Sequence, residues 1–450
     1  MNILITGASG LIGKELGKKL VSEGHSVVVT SRNPEKTKLL LPFPCKVFKT
    51  PGEALREKID GIIHLAGESI FSKRWNTEQK KKILDSRVET SKELIQAIQD
   101  SKTELKTFVT GSAIGYYGSR GDEVLNEYAT PGDDFLAQVC IAWEDTLFKA
   151  SLPNVRKVAV RIGLVLARSG GALEQVVPLF RAGVGGPIGS GKQWWSWIHI
   201  EDTVELIYQA AINPKIEGVI NVVSPGAVTN EEFSKVLGQV LHKPSFLKAP
   251  SFAMKLTMGE MSGAILSSQR VNPEKAQTLG LKFKYAGLEA ALTDLCGDLQ
   301  GNQKEFYAEQ WVPKKVEEIF PFFTSAKNLE AITPPWLNFN VLKVSTPDIE
   351  QGTLIDYKLK IHGIPIHWLT RIEDMVVNQQ FVDTQIKGPY KKWHHTHSFE
   401  RLAGGTLLKD RVLYQVPVGK LGSAMLGKKI LNDVTQIFDF RRRKINEMFG

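Results

Sequence analysis

Short apolar runs alternate with helical apolar stripes along the first two-thirds of the chain. Runs of consecutive apolar or β-prone residues are typical of strands buried on both faces, and such runs lie at residues 2–6, 26–30, 61–65, 107–111 and 155–161. Between them, apolar positions recur at helical spacing, most clearly over residues 77–99. Strands that alternate with helices predict an α/β fold with a doubly wound parallel sheet.

A glycine-rich turn follows the first predicted strand. Gly7, Gly10 and Gly13 have the spacing G-x-x-G-x-x-G, and a helical stripe begins at Ile12. Such a turn lets the backbone approach a pyrophosphate, which then rests on the free N–H groups of the helix N-terminus. A glycine-rich turn without a ligand is the alternative. The dinucleotide-binding residues predicted here are Gly7, Ser9, Gly10, Leu11, Ile12 and Gly13.

The end of the second predicted strand distinguishes between the two nicotinamide cofactors. Sites that prefer NAD usually place Asp or Glu there to hold the ribose 2′-hydroxyl. This strand ends in Ser31 and Arg32, and no carboxylate lies beside them. A hydroxyl and a guanidinium suit a 2′-phosphate, although a solvated loop arginine is the alternative. The residues therefore favour NADP.

The pattern loosens from about residue 168, where a substrate lobe is predicted to extend to about residue 300. Its glycine-rich loop over 183–191 is followed by Trp194, Trp195 and Trp197, with His199 two residues later. The tryptophans would either cover a ligand pocket or pack against one another inside a lid. The best candidate for a domain break is Gly301-Asn302, which gives domains 1–300 and 302–450.

The last third of the chain has a different pattern. A strand over 305–312 precedes a helix that Pro313 opens, with apolar residues at i, i+3, i+4 and i+7 from Val316. Six strand-like stretches follow between residues 338 and 416, and a long helix whose apolar stripe starts at Leu426 closes the chain. This order predicts an α+β unit in which strands curl around a helix and leave an apolar cavity.

One strand of this unit carries two histidines on one face. Trp393, His395, His397 and Phe399 alternate with other residues, so all four side chains lie on the same side, and their apolar members indicate an inward face. Hydrogen bonding to a ligand and satisfaction within the core are both open. Two histidines could bind a metal, but no third ligand stands out nearby, so no metal is predicted.

Length, charge and cysteines narrow the class of protein. A chain of 450 residues suggests two or three domains, and the net charge of +9 is not concentrated in any segment. The basic run over 441–444 is best interpreted as a solvated helix face, so no nucleic acid is expected. No apolar run is long enough to span a bilayer, Met1 leaves no room for a signal peptide before the first strand, and three scattered cysteines indicate a cytoplasmic protein.

Several segments make the first 297 residues resemble the extended short-chain dehydrogenase/reductases, and more closely their atypical "epimerase family protein" subgroup. The matching segments are 6–13, 65–68, 74–75, 86–88, 112–118, 131–135 and 197–202. The resemblance implies a Rossmann-type fold and an NADP site lined by Ser31 and Arg32, Leu65 and Ala66, and Arg87. With Gly67 and Arg161, which ends the strand at 155–161, these residues complete the expected cofactor set.

Residues 302–450 resemble the START-like superfamily of polyketide cyclases and dehydrases (SRPBCC). The similarity lies in the segments 328–336 and 388–399. It implies a helix-grip fold around a cavity for an apolar ligand. Because the superfamily is diverse in sequence, this resemblance fixes the fold better than the function.

The usual catalytic pair of the dehydrogenase/reductases is missing. The parent enzymes carry Tyr and Lys in Y-x-x-x-K on the helix after the serine-bearing strand, whereas this chain has Leu136 and Cys140 at those positions. Ser112 is retained, and Arg87 replaces an Asn of the parents. The residues that transfer the substrate proton must therefore lie elsewhere, or the chemistry has been lost.

Other groups could move a proton. Tyr116 or Tyr117 lies just beyond Ser112, where the nicotinamide is expected. Cys140 would act as a thiolate if Arg87 or Lys82 lowered its pKa, and Glu68 follows a strand end beside the cofactor. Each has a plain alternative, namely packing for the tyrosines, a small buried apolar residue for the cysteine, and a surface charge for the glutamate.

Two functions follow from these residues. The first is an NADP(H)-dependent oxidoreductase or epimerase for an unidentified small molecule, with a fused module that binds an apolar ligand. The second is a non-catalytic NADP(H)-binding sensor whose START-like module is the effector. The predicted substrate and ligand residues are Glu68, Trp75, Trp197, His199, Trp368, Trp393, His395 and His397.

Overall fold

The computed structural model describes residues 1–101, 103–299, 303–416 and 420–450, without the side chains of 420–428. The chain divides into two compact units, Met1–Thr37 with Cys45–Leu299 and Lys38–Pro44 with Gln300–Gly450. The predicted break at Gly301-Asn302 and the side chain of Leu426 lie outside the described residues, so the domain limits 1–300 and 302–450 stay a prediction. None of the described helices combines the length and the apolarity that a membrane crossing requires.

The strands before residue 300 include the five that the apolar runs predict. They are β1 Asn2–Thr6, β2 Ser26–Thr30, β3 Lys46–Phe48, β4 Gly61–His64, β5 Thr107–Ala113, β6 Val124–Leu125, β7 Arg156–Ile162, β8 Leu164–Leu166, β9 Trp194–Trp195, β10 Trp197–His199, β11 Gly218–Val222, β12 Val228–Thr229 and β13 Arg270–Val271. Seven of them form one all-parallel sheet in the order β11-β7-β5-β4-β1-β2-β3. The predicted Rossmann-type sheet is confirmed.

Helices alternate with these strands, as the stripes predict. They are α1 Leu11–Ser22, α2 Pro34–Leu40, α3 Pro51–Ala54, α4 Thr77–Ser101, α5 Phe135–Phe148, α6 Gly171–Arg181, α7 Ile200–Ile212, α8 Asn230–Val240, α9 Ser251–Met258, α10 Ser262–Leu266, α11 Glu274–Thr278 and α12 Leu288–Cys296, with 3₁₀ turns at Ile114–Tyr117 and Gly259–Met261. The predicted lobe over 168–300 is interrupted, because β11 pairs with β7 in the main sheet. The apolar residues Ile220 and Val222 of β11 are buried in that sheet, so β11 belongs to the core of the first unit.

The turn between β1 and α1 requires two of its glycines. Gly7 has a φ of +75°, a conformation that L-residues with a side chain rarely adopt. A Cβ on Gly13 would lie 2.4 Å from the carbonyl oxygen of Gly7 and 2.6 Å from Cα of Ala8. The helix therefore packs on the turn more closely than any side chain would allow.

The second unit is an antiparallel sheet with a long closing helix. Its strands are β14 Lys304–Val312, β15 Asn340–Val344, β16 Leu354–Ile361, β17 Ile364–Val376, β18 Gln380–Lys387, β19 Lys392–Leu402 and β20 Gly405–Gln415, and its helices are α13 Val316–Phe323, α14 Ala326–Leu329 and α15 Lys420–Phe449, with a 3₁₀ turn at Pro335–Leu337. The sheet order is β14-β20-β19-β18-β17-β16-β15. This α+β arrangement confirms the predicted helix-grip fold.

Helices α13 and α15 bury apolar residues of the stripes that the sequence predicts, although Met448 near the end of α15 is exposed. Val316, Ile319, Phe320 and Phe323 of α13 are buried in one cluster, which Ile445 of α15 also joins. Burial of each such side chain contributes about 1.5–3 kcal/mol. The first helix begins at Val316 rather than at Pro313, because Lys315 keeps an extended conformation as its N-cap.

We expect Gly13→Ala to destabilise the first unit. The new methyl group would meet backbone atoms that cannot turn away, and overpacking of this kind costs about 1–3 kcal/mol or more. Gly263→Ala in α10 is the matched control, since a Cβ there meets nothing within 4 Å. Urea unfolding of both variants measures the difference, and equal stabilities would contradict the close packing.

Candidate functional site

The glycine turn and the end of β4 lie side by side at the carboxyl edge of the parallel sheet. A Cβ on Gly7 would lie 2.8 Å from the backbone nitrogen of Ala66. The Thr6 hydroxyl lies 2.6 Å from Nδ1 of His64 and accepts a hydrogen bond of 3.3 Å from the backbone N–H of Ala66. The structure thus brings the predicted residues around Gly7 next to the predicted segment 65–67. This place lies between β1 and β4, where the order of the strands in the sheet reverses.

The N-terminus of α1 faces this edge without a side-chain cap. Gly10 is the N-cap and supplies no side-chain acceptor, and both Ser9 and Gly10 are exposed. The first N–H groups of a helix have no acceptor within the helix, and the helix dipole makes them attractive to an anion. A phosphate at this end would bind to the backbone at Leu11 and Ile12.

Ser31 and Arg32 follow β2 at the same edge. The Ser31 hydroxyl lies 2.6 Å from the hydroxyl of Thr37 and accepts a bond from the Asn33 N–H, which orders the loop. The Arg32 side chain is exposed. Its positive charge is near enough to help lower the pKa of Glu68, although hydrogen bonds from Ser72 and Gln79 lower it more.

Those hydrogen bonds give Glu68 a structural role. Its Oε1 accepts a bond of 2.8 Å from Ser72 and a longer one from Gln79, and its backbone N–H donates to Ser86. Because the pKa is lowered, the side chain is a carboxylate at neutral pH. The idea that Glu68 donates a proton to a substrate is not supported by this arrangement.

Arg87 braces the loop that carries Gly67. Its Nη1 donates to the carbonyl oxygens of Glu68 at 3.0 Å and Ile83 at 2.9 Å, and a Cβ on Gly67 would lie 3.0 Å from its Cζ. The guanidinium also lies over the ring of Trp143. Among the described residues only Nη1 has carbonyl acceptors, which leaves Nε and Nη2 for a ligand.

A buried ion pair occupies the place where catalytic residues are expected. Arg161 donates from Nε and Nη2 to the two carboxylate oxygens of Glu144 at 2.9 and 2.8 Å, and both side chains are buried. Ser112 donates to the same carboxylate at 2.6 Å. The prediction that Arg161 binds the cofactor is therefore corrected, because its donors are already used inside the protein.

Tyr117 belongs to the same buried network. Its hydroxyl accepts a bond from Nη1 of Arg161 at 3.0 Å and donates to Asn221 at 2.7 Å, and the side chain has no exposed surface. Burial raises its pKa to about 12. Tyr117 therefore connects buried polar groups of the core. Its burial argues against the prediction that it donates a proton to a substrate.

The structure also argues against the prediction that Cys140 reacts as a thiolate. Its thiol is buried and donates to the carbonyl oxygen of Ala113 at 3.6 Å. Burial raises the pKa of the thiol to about 11, and the nearby Glu144 carboxylate raises it too, whereas Arg87 lowers it only slightly. The charge of Arg87 does not outweigh burial, so the group stays a thiol at neutral pH.

Tyr116 differs from its neighbours in this region. It lies in the 3₁₀ turn after β5, is half-buried, and its hydroxyl has no hydrogen-bond partner among the described residues. The guanidinium carbon of Arg161 lies 3.3 Å from the centre of its ring. The ring is thus held in place while its hydroxyl is available, which leaves Tyr116 as the candidate proton donor.

The predicted ligand residues Trp197 and His199 both make contacts within the protein. Trp197 has no exposed surface and donates to the carbonyl oxygen of Gly226 at 2.7 Å. His199 caps α7 through the Glu201 N–H and stacks on Tyr285 at 3.9 Å. Burial argues against a ligand contact for Trp197. A ligand contact of His199 stays a prediction, because its buried Nε2 has no hydrogen-bond partner among the described residues.

Trp75 keeps an exposed part. Its indole N–H donates to the carbonyl oxygen of Ile70 at 2.7 Å, and its ring packs edge-on against Phe135 at 5.2 Å. These contacts order the loop before α4. Since the side chain is only half-buried, a role for Trp75 at the substrate stays a prediction.

The second unit contains a cavity of about 530 Å³ between its sheet and its helices. The predicted ligand residues Trp368, Trp393, His395 and His397 all line it. The two indole rings meet edge-on at 5.4 Å, and the buried N–H of Trp368 has no hydrogen-bond partner among the described residues. An apolar ligand with one well-placed oxygen atom would suit this lining.

Two aspartates that the sequence interpretation missed lie beside the two histidines. Asp383 of β18 is directly opposite His395, and Asp410 of β20 is directly opposite His397. Each imidazole lies within 3.3 Å of an oxygen of both carboxylates. The expectation that no third metal ligand lies nearby is wrong, because Asp383 offers one. Only the strand register could have revealed it.

The charges in this cluster shift one another's protonation. Burial alone would raise the pKa of Asp410, but Arg441 and the two imidazoles hold it well below its usual range. Burial would raise the pKa of Asp383 too, and the imidazoles again lower it. Both aspartates are therefore carboxylates, and Asp383 lies in the wall of the cavity.

The family models divide the chain in the same way as the two folds. Residues 3–222 match the NAD dependent epimerase/dehydratase family, residues 249–295 a domain of unknown function (DUF1731), and residues 312–438 the polyketide cyclase / dehydrase and lipid transport family. The first and last matches bear out the two resemblances seen in the sequence.

Individual relatives agree with these models. The chain is 40% identical over 303 residues to the chloroplastic epimerase family protein SDR39U1 homolog of Arabidopsis thaliana, which covers 65% of this chain and 86% of the relative. It is 36% identical to the epimerase family protein YfhF of Bacillus subtilis, covering 66% of this chain and 99% of the relative. A crystal structure of human SDR39U1 (isoform 2) with NADPH is 33% identical, with a TM-score of 0.61 over 66% of this chain and all of that one.

The glycine turn and the replaced Tyr-Lys pair lie within the residues that match the epimerase/dehydratase model, and the cavity lies in the second unit, where the polyketide cyclase model matches. The chain therefore belongs to the NAD(P)-dependent epimerase family of SDR39U1-type proteins, and it carries a polyketide cyclase/dehydrase domain of START-like fold at its C-terminal end.

Proposed function

We propose that this protein binds NADP(H) at the carboxyl edge of β1, β2 and β4 and catalyses an oxidoreduction or epimerisation of a small molecule. The observation that carries the proposal is the uncapped N-terminus of α1, with Gly10 as its N-cap, beside the end of β4. The glycine turn packs so closely there that a Cβ on Gly7 would lie 2.8 Å from the backbone nitrogen of Ala66. The exposed Arg32 after β2 suits the 2′-phosphate of NADP(H), and the human relative was crystallised with NADPH. When bound, the nicotinamide would supply or accept a hydride.

The residues of this chain would bind the cofactor and move the proton. The N–H groups at the start of α1 would hold the pyrophosphate, and the free donors of Arg87 would hold a neighbouring phosphate or ribose oxygen. Tyr116 would donate a proton to the substrate oxygen or accept one from it. The Glu144–Arg161 pair would orient the phenol of Tyr116, because the Arg161 guanidinium stacks on its ring.

The second unit would bind an apolar molecule in its cavity. Aromatic and aliphatic side chains line much of the cavity, and the Trp368 N–H and the His395–His397 pair are among the polar groups that would orient a ligand. A cytoplasmic location is part of this proposal, and it is supported by the odd number and wide spacing of the three cysteines.

A non-catalytic NADP(H) sensor is the second candidate. It is favoured by the position of Ser112, whose hydroxyl donates to the buried Glu144 instead of facing a substrate. The two functions differ in turnover. Incubation with NADP(H) and a metabolite pool should convert a metabolite if the protein is an enzyme, with net oxidation of NADPH in an oxidoreduction and no net change of the cofactor in an epimerisation. Tight binding without conversion of any metabolite would indicate the sensor.

Arg32→Ala should weaken NADPH binding by about tenfold to a hundredfold and leave NADH binding unchanged. The lost contact with a phosphate is worth about 1.5–3 kcal/mol. Fluorescence titration measures both affinities, with Arg56→Ala, an exposed arginine before β4, as the control. If the unmutated protein binds NADPH and NADH equally well, the proposed preference is wrong.

Tyr116→Phe should reduce kcat by about a hundredfold or more on a substrate found in the metabolite pool, while NADPH affinity stays within about twofold. The change removes only the hydroxyl that we expect to exchange the proton. Tyr117→Phe is the matched control, and it should lower the melting temperature instead, because Asn221 and Arg161 lose a buried partner. Full turnover in Tyr116→Phe would exclude this tyrosine.

Trp393→Ala should weaken the binding of a fluorescent hydrophobic probe to the full chain by about threefold to tenfold. Its ring packs against Tyr390 at 4.9 Å and Trp368 at 5.4 Å in the cavity wall, and a lost aromatic contact costs about 0.5–1.5 kcal/mol. Trp311→Phe is the control, because Trp311 lies in the same unit but does not line the cavity. Equal loss in both variants would show that the probe binds elsewhere.

A further inference from the structure

We propose that Asp383, His395 and His397 bind a divalent transition-metal ion of the Zn²⁺ or Fe²⁺ type in the cavity of the second unit. The ion would take an oxygen atom of the ligand, whose class is then an apolar molecule with a carbonyl, enolate or carboxylate group. This site does not depend on the proposed cofactor site of the first unit.

Three potential ligand atoms converge at one point of the cavity wall. Oδ2 of Asp383 lies 3.3 Å from Nδ1 of His395 and 3.0 Å from Nε2 of His397, and all three ligand atoms lie within 4.8 Å of one another. Atoms that share an ion with bonds of about 2.0–2.2 Å are about 3.3 Å apart in a tetrahedral arrangement. Two imidazoles and one carboxylate also form a known set for Zn²⁺ and for non-haem Fe²⁺.

Asp410 holds the opposite edges of both imidazole rings. Its Oδ1 lies 3.0 Å from Nε2 of His395 and 2.8 Å from Nδ1 of His397. A carboxylate that accepts the far N–H of a metal-bound histidine fixes its tautomer and makes it a better ligand. The hydrogen bonds run from Nε2 of His395 to Asp410 and from Nε2 of His397 to Asp383. An ion beside Asp383 would replace the proton that His397 shares with it and would leave Asp410 to accept from the far nitrogen of each ring.

A positive charge must lie between the three atoms, and either protons or a metal ion can supply it. Two nitrogen lone pairs and a carboxylate oxygen repel one another at 3.0–3.3 Å unless a proton or a metal ion lies between them. When an ion takes the place of these protons, both imidazoles are neutral, the two aspartates carry two negative charges, and Arg441, 3.6 Å from Asp410, offsets only one. A buried charge without compensation is costly, so a divalent ion together with a ligand oxyanion would balance the cluster.

The surroundings leave room for a ligand on the ion. Asp383, His395 and His397 line the cavity, whereas Asp410 is not among its lining residues. Phe381 stacks on the His397 ring at 4.2 Å and shields that face. Three protein ligands leave at least one coordination position for an oxygen atom from the cavity.

The test uses the full chain, stripped of metal with a chelator and titrated with Co²⁺ and then with Zn²⁺. We expect one ion per chain and a visible Co²⁺ absorption band typical of histidine coordination. His397→Gln should lower the affinity by roughly a hundredfold or more, since it removes a ligand. His394→Gln should bind like the unmutated chain, because His394 lies on the opposite face of β19 and does not line the cavity.

Several results would overturn the proposal. The first is that Co²⁺ gives no absorption band with the stripped, unmutated chain, which would mean that only protons hold the cluster together. The second is that the unmutated chain and His397→Gln bind the ion with equal affinity. If His397→Gln does not fold, Asp383→Asn replaces it with the same expectation. NADPH binding is measured in parallel, so a failure of the metal site is distinguished from a failure of the cofactor site.

Discussion

The buried pair of Glu144 and Arg161 determines which groups remain available at the edge of the parallel sheet. It joins α5 to β7, accepts a hydrogen bond from the hydroxyl of Ser112, and holds Tyr117 through Nη1 of the arginine. Removal of either partner would leave a buried charge uncompensated, at a cost of about 3–5 kcal/mol. Because these groups serve the core, we expect the polar contacts with a cofactor and a substrate to come from Tyr116, Arg87 and the backbone of the glycine turn.

The two units place polar groups against apolar surroundings in different ways. In the first unit, the buried charges of Glu144 and Arg161 pair with each other. The donors that remain at the carboxyl edge of the sheet are mostly backbone N–H groups. In the second unit, His395, His397 and Asp383 lie in a cavity wall with many aromatic and aliphatic side chains, and Asp410 contacts both histidines. The first arrangement suits a phosphorylated cofactor and the second suits an apolar molecule with an oxygen to bind, so the two ligands need not be alike.

The folds could be predicted because they depend on local patterns. Apolar runs and stripes gave the strands and helices, and Gly7 and Gly13 revealed the turn, since its φ and its close packing admit no side chain. The roles of Arg161, Tyr117 and Trp197 could not be predicted, because they depend on partners such as Asn221, 104 residues from Tyr117. Asp383 and Asp410 were missed for the same reason, since only the pairing of β18 and β20 with β19 brings them to the histidines.

The central claim is that NADP(H) binds at the edge formed by the glycine turn and the end of β4. Hydrogen-exchange mass spectrometry of the full chain with saturating NADPH tests this claim most directly. The account predicts slower exchange of the backbone amides over residues 7–13, 31–33 and 65–67, with unchanged exchange in β18, β19 and β20. Unchanged exchange over residues 7–13 and 65–67, or protection confined to the second unit, would contradict it.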